Sequence, residues 1–126
     1  MNEWYTQREW DRVVGLGKVP EEYTKTGSKM TFDEYQEFAK TTAIYPDNAK
    51  VVYPTLGLSG EAGEVAEKVK KNIRKSKFGS FEFYGNELDD IAKELGDVLW
   101  YVSALASDIG YSLEDIAQIN MEKLKS

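Results

Sequence analysis

The strongest constraint on this chain lies over residues 86–109, where Leu88, Ile91, Ala92, Leu95, Val98, Leu99, Val102, Leu105, Ala106 and Ile109 recur every three or four positions. That spacing matches the turn of an α-helix, and a strand could not gather the same residues on one side, so a long packed helix is required. Gly110 follows as a helix-ending residue. Ser112 then caps a further helix that carries Leu113, Ile116, Ala117, Ile119 and Leu124.

Two more helices precede it. Thr31-Phe32-Asp33-Glu34 sets Thr at an N-cap and Glu three residues on, a capping box that predicts a helix to about Ala43. Tyr45-Pro46-Asp47-Asn48 reads as a turn, because proline disfavours helix in the residue ahead of it. The next helix is clear from Leu56, with Pro54 as the alternative start. It carries Leu58, Ala62, Val65, Ala66, Val69 and Ile73 and stops near Ser76, before a glycine-punctuated aromatic loop suited to covering a pocket. Four helices with short connections give an all-α bundle or half of one. Residues 1–29, with Trp4, Tyr5 and Trp10 interrupted by Gly15, Gly17 and Pro20, read as an N-terminal extension to one domain over 30–126.

Composition narrows the chemistry. The chain has 126 residues, no Cys and no His, so disulfides, thiolate nucleophiles, imidazole bases and Cys- or His-held metals are excluded. Catalysis would have to rest on carboxylates, Lys, Tyr, Ser/Thr or a hard metal. A net charge of −6 argues against duplex nucleic acid as the main ligand, and a phosphate substrate would need bridging cations. No apolar run approaches the roughly 20 residues of a membrane helix, and the first residues lack a signal-peptide layout, so a soluble cytoplasmic protein is expected. Against the acidic background, Lys68, Lys70, Lys71, Arg74, Lys75 and Lys77 cluster together. They suit a solvated helix C-terminus that complements the helix dipole, or a surface that steers phosphates.

Two pentapeptides repeat 33 residues apart, Glu61-Ala62-Gly63-Glu64-Val65 and Glu94-Leu95-Gly96-Asp97-Val98. Each falls inside a predicted helix, where carboxylates at i and i+3 share a face and repel unless a cation lies between them. At about 100° per residue, Glu61 and Glu64 lie about −90° and −150° from the centre of their apolar stripe, and Glu94 and Asp97 about −100° and −160° from theirs. Antiparallel packing of the two helices would then bring all four carboxylates to one side. Glycine costs about 1 kcal/mol inside a helix, so Gly63 and Gly96 suggest close backbone approach there. Oxygen-only ligands favour Mg²⁺ or Mn²⁺. Two solvated acidic faces are the competing reading.

Over residues 32–125 the sequence resembles the MazG-like nucleoside triphosphate pyrophosphohydrolases, an all-α superfamily that includes dimeric dUTPases, dCTP pyrophosphatases and phosphoribosyl-ATP pyrophosphatases. The resemblance rests on Leu56-Gly57-Leu58-Ser59-Gly60-Glu61-Ala62-Gly63-Glu64-Val65, on Glu94-Leu95-Gly96-Asp97-Val98-Leu99-Trp100-Tyr101, and on Ser112-Leu113-Glu114-Asp115-Ile116 with Asn120 and Lys123. It implies a four-helix bundle completed by oligomerisation, as a homodimer or homotetramer. It also implies metal ligands at Glu61, Glu64, Glu94 and Asp97, triphosphate contacts at Asn120 and Lys123, and a sugar or base contact at Tyr101.

The implied reaction is Mg²⁺-dependent conversion of a nucleoside triphosphate, a dNTP in particular, to the monophosphate and pyrophosphate, by attack of a metal-activated water on the α-phosphorus. Glu64 is the candidate general base, with Glu61 beside it, and Lys71 and Arg74 are candidate phosphate contacts. Gln36, Tyr53, Trp100 and the loop over residues 78–84 are candidates for base contacts. The sequence departs from the family pattern twice: Gly60 replaces the first Glu of EExxE, and N-x-x-K-x-x-x-R is only partly present, because the sequence ends at Ser126 before the Arg. These departures keep two alternatives open, a non-catalytic helical interaction or nucleotide-binding module and a cation-binding structural bundle.

Overall fold

A computed structural model of the chain describes residues 30–75, 83 and 85–126. Among them are four α-helices, α1 (Phe32–Thr42), α2 (Val52–Lys75), α3 (Gly85–Asp108) and α4 (Leu113–Lys125), with a short 3₁₀ turn at Asp47–Ala49 and no strand. The all-α fold class expected from the apolar periods is the one observed. The aromatics of the proposed extension, the helix stop at Ser76 and all of the 78–84 loop except Phe83 lie outside the described residues.

Local chemistry sets the helix ends. At α1 the Glu34 amide donates to Thr31 Oγ1 at 3.1 Å and the Thr31 amide donates to Glu34 Oε1 at 3.3 Å, closing the capping box read from the sequence. Ser112 and Asp115 repeat the arrangement at α4, at 2.9 and 3.1 Å. Between α3 and α4, Gly110 takes φ +85°, while the Gly110 and Tyr111 amides donate to the Ser107 and Ala106 carbonyls at 3.1 and 2.8 Å. This is a Schellman ending, and it favours a residue without a Cβ at the left-handed position. Helix α2 begins at Val52, four residues before the clear apolar stripe, because Pro54 falls in the first turn, where a missing N–H costs no helical bond.

The most extensive helix contact joins α2 to α3, and α1 packs against α3 and α4. Three polar anchors fix this arrangement. Gln36, only 5% exposed, donates to Ser107 Oγ at 2.9 Å and to the Tyr111 carbonyl at 3.0 Å, and it accepts from the Leu113 amide at 2.9 Å. One side chain of α1 thereby holds the α3–α4 turn. Asp108, the last residue of α3, accepts through Oδ2 from the Tyr45 hydroxyl at 2.8 Å and from the Val51 amide at 2.9 Å. Burial and the Asp108 contact push the Tyr45 hydroxyl pKa up to about 12. Val51 sits at φ 69°, an uncommon conformation for a β-branched residue, held at the entry to α2 by that bond. At the other end of the connection, Trp100 Nε1 donates to Thr42 Oγ1 at 2.7 Å, tying α3 to the end of α1.

A glycine of α2 does meet a close neighbour from α3, but it is neither of those singled out from the pentapeptides. A Cβ added at Gly63 or Gly96 would meet no atom within 4 Å, whereas one added at Gly57 would overlap the ring of Tyr101. Glycine at 57 lets that ring lie against the α2 backbone.

Apolar burial in the described chain is modest. Ala39, Ala104, Ala106, Leu113 and Pro54 are buried, while Ile44 is 91% exposed, Leu124 is 76% exposed, and Phe32, Phe38 and Leu56 are exposed as well.

Two stability measurements test these anchors. Gln36→Leu keeps the volume but leaves the buried Leu113 amide unpaired, and urea denaturation should register a loss of about 2–4 kcal/mol. Gly57→Ala should cost about 1–3 kcal/mol by overpacking, and most of that cost should vanish in a Tyr101→Ala background. An equal cost in both backgrounds would mean that the Tyr101 ring is not what excludes a side chain at 57.

Candidate metal centre

Helices α2 and α3 carry their carboxylates to a shared face. One oxygen each from Glu61, Glu94 and Asp97 lies within 4.8 Å of the others. Glu61 and Glu94 are half-buried and Asp97 is exposed, so the group sits at the mouth of a surface groove rather than in the core. The structure does not bring Glu64 into this group. It stands exposed on the next turn of α2, near enough for its charge to act on Glu61.

The electrostatic consequence falls on Glu61. Its pKa is raised, first by burial and then by the charges of Asp97, Glu94 and Glu64. Like charges disfavour the ionised form, so Glu61 holds a proton more readily than a free carboxylate. Oxygens bound to Mg²⁺ at about 2.1 Å lie about 3–4 Å apart, so the trio needs to contract by only about an ångström to surround such an ion. The donor set is all oxygen and its charge is negative, which suits a hard divalent cation.

A groove of about 350 Å³ adjoins the carboxylates and is lined by Thr42, Glu61, Asp97, Trp100 and Tyr101. The rings of its aromatic wall contact one another. Trp100 meets Tyr101 edge-on, with ring centroids 4.9 Å apart, and Tyr101 lies 6.5 Å from Tyr53, which stacks on Tyr45 at 4.8 Å. Burial raises the Tyr101 hydroxyl pKa, and Tyr53, Glu61 and Asp97 add to the shift. Tyr35 of α1 is raised as well, by burial and then by the Asp97 charge, which brings a third helix to the rim.

The remaining residues singled out from the sequence lie elsewhere. Asn120 and Lys123 are exposed on α4. Lys71 and Arg74 are exposed near the end of α2, where their charges act on Glu67 with that of Lys70, which also donates to the Glu67 carboxylate at 2.7 Å. Gln36 is spent on packing. Tyr53 and Trp100 do join the aromatic wall. Sequence reasoning passed over Thr42 and Tyr35, which come from α1 and share no motif with the acidic helices. It also left Lys68 undistinguished within the basic stretch, although its Nζ lies 3.9 Å from Glu94 Oε1. The helical period held the signal, since Lys68 follows Glu61 by two turns on the same face.

Comparison with known proteins places the chain in a family. The family model for the MazG nucleotide pyrophosphohydrolase domain matches residues 54–126, more than half of the chain, and takes in both acidic pentapeptides. The "Gene 37 protein" of Mycobacterium phage L5 is 45% identical over 103 residues, spanning 77% of this chain and 88% of the phage protein. No solved structure matches. No described helix is long and apolar enough to cross a membrane. The chain belongs to the MazG nucleotide pyrophosphohydrolase family.

Proposed function

We propose that this protein is a Mg²⁺-dependent pyrophosphohydrolase that converts a nucleoside triphosphate, preferentially a deoxynucleotide, to the monophosphate and pyrophosphate. The observation that carries the proposal is the meeting of Glu61, Glu94 and Asp97 within 4.8 Å in a chain of this family.

Glu61, Glu94 and Asp97 hold the cation, with Mn²⁺ as a workable substitute. Bound there, the ion would neutralise phosphate charge and make water acidic enough to attack at neutral pH. The protein supplies the rest. Glu64 stands outside the trio and is free to take the proton of the attacking water, or to complete the ligand set by a change of rotamer. Tyr101, against both Glu61 and Asp97, and Trp100, held by Thr42, form a flat aromatic wall on which the sugar and base can lie. Asn120, Lys123, Lys71 and Arg74 are phosphate contacts in this reading and would reach the substrate from other faces.

An oligomer would bring those faces closer, and we include a homodimer or homotetramer in the proposal. Its support is the set of large apolar side chains exposed among the described residues, including Phe38, Ile44, Leu56 and Leu124. Size-exclusion chromatography with light scattering should return a whole multiple of the chain mass. A monomer at micromolar concentration would contradict the oligomer.

A second reading, a nucleotide-binding module without turnover, draws on Gly60. A side chain there would meet no atom within 4 Å, so packing does not account for the missing carboxylate. A panel of canonical and damaged NTPs and dNTPs with Mg²⁺ separates the two readings, with products resolved as mono- or diphosphate. We expect pyrophosphate release, reduced roughly 100-fold or more by Glu61→Gln and by Asp97→Asn. Glu61→Gln should also raise the melting temperature in EDTA, since it relieves repulsion, and should shrink the further rise that Mg²⁺ gives the wild type. Turnover that survives both substitutions would remove the proposed metal site, and binding without turnover would favour the module.

A further inference from the structure

Four of the ion pairs between described residues join positions i and i+3 along one helix or turn: Glu37 with Lys40, Asp47 with Lys50, Glu67 with Lys70, and Glu122 with Lys125. Exposed pairs of this kind contribute little. The pair between Lys68 and Glu94 differs in place and surroundings. It spans α2 and α3, its side chains are only 35% and 19% exposed, and its acidic partner belongs to the carboxylate trio.

At 3.9 Å the ammonium is too far from Glu94 to hydrogen-bond to it. Lys68 is therefore placed by charge, and its three N–H donors have no acceptor among the described residues. Three other cations of the basic stretch are committed differently, since Lys70, Lys71 and Arg74 act on Glu67 and hold its carboxylate below the usual range.

A divalent cation entering the trio would come within roughly 6 Å of this ammonium, where like charges still repel across a partly solvated gap. Lys68 thus opposes the cation when it arrives alone. A polyphosphate changes the sign, because its oxygens can bridge the cation and accept from a neighbouring ammonium together.

We propose that Lys68 binds a phosphate oxygen of the substrate and makes metal and triphosphate binding mutually dependent, weakening the first without the second and strengthening the two together. The proposal rests on the pyrophosphohydrolase reading of the same site. Such a coupling is reciprocal, so the triphosphate should raise metal affinity by the same factor by which the metal raises triphosphate affinity.

Isothermal titration calorimetry on the full chain tests it, with Mn²⁺ alone and then with a non-hydrolysable α,β-imido deoxynucleoside triphosphate in saturating Mn²⁺. Lys68→Met keeps the aliphatic stem and removes the charge. It should tighten Mn²⁺ alone by about two- to fivefold and weaken the analogue by about ten- to a hundredfold. Lys68→Arg should restore most of the analogue affinity, and Lys68→Gln serves in place of Met should that variant fold poorly. A purely structural role would weaken both ligands or neither, and either result would overturn the proposal. The wild type separates this failure from that of the parent reading. Wild-type protein that turns over triphosphates while Lys68→Met binds the analogue normally defeats only the role of Lys68. Wild-type protein that binds no nucleotide defeats both.

Discussion

Like charges held close together are the constraint on which the rest of this structure depends. Glu61, Glu94 and Asp97 meet within 4.8 Å, and the proton affinity of Glu61 is raised, first by burial and then by the neighbouring charges. No disulfide holds them there. The packing of α2 against α3 does, with the Tyr101 ring seated on the bare backbone at Gly57. Lys68 returns part of the missing positive charge from the edge of the group. The affinity for a cation is in this sense stored in the helix pairing, since the apolar contacts that bring the helices together also impose the repulsion that a cation relieves.

The helices were legible in the sequence because their signals are local. A cap needs a Thr or Ser and an acid three residues on, a Schellman ending needs a Gly, and an amphipathic face needs only a period. The site was legible in its direction but not in its distances. Equal angular offsets placed four carboxylates on one side of a helix pair, yet an angle does not say how far apart two residues stand across it, and Glu64 lies outside the close group. Glycine was misread for a related reason. Gly63 and Gly96 drew attention by sitting inside the acidic pentapeptides, but what lies against a glycine depends on tertiary packing, and the ring of Tyr101 lies against Gly57. The anchors at Gln36 and Asp108 had no local signature at all, since they join residues 57 to 77 positions apart in the sequence.

The aromatic row gives the acidic helices a second connection. Trp100, Tyr101, Tyr53 and Tyr45 run in contact from the carboxylate group to the hydroxyl that donates to Asp108. Rings are large, stiff and cheap to order, so a chain of them passes on position better than flexible side chains would. The loop before α2 is thereby tied to both ends of the system. Tyr45 and Val51 fasten it to Asp108 at the foot of α3, and Tyr53 leads back to Tyr101 beside Glu61 and Asp97.

Stability and ligand binding then draw on the same free energy. Anything that binds the folded trio and not the unfolded chain stabilises the fold in proportion to the logarithm of its concentration over Kd. A cation does this directly, and a triphosphate does it through the cation and Lys68. The unliganded chain carries the opposite load, with several large apolar side chains in water and three acids facing one another. A more comfortable protein would replace one of those acids, and it would lose the field that recruits the cation. The cost to stability and the capacity to bind therefore follow from one arrangement, in which two packed helices present their carboxylates to one another.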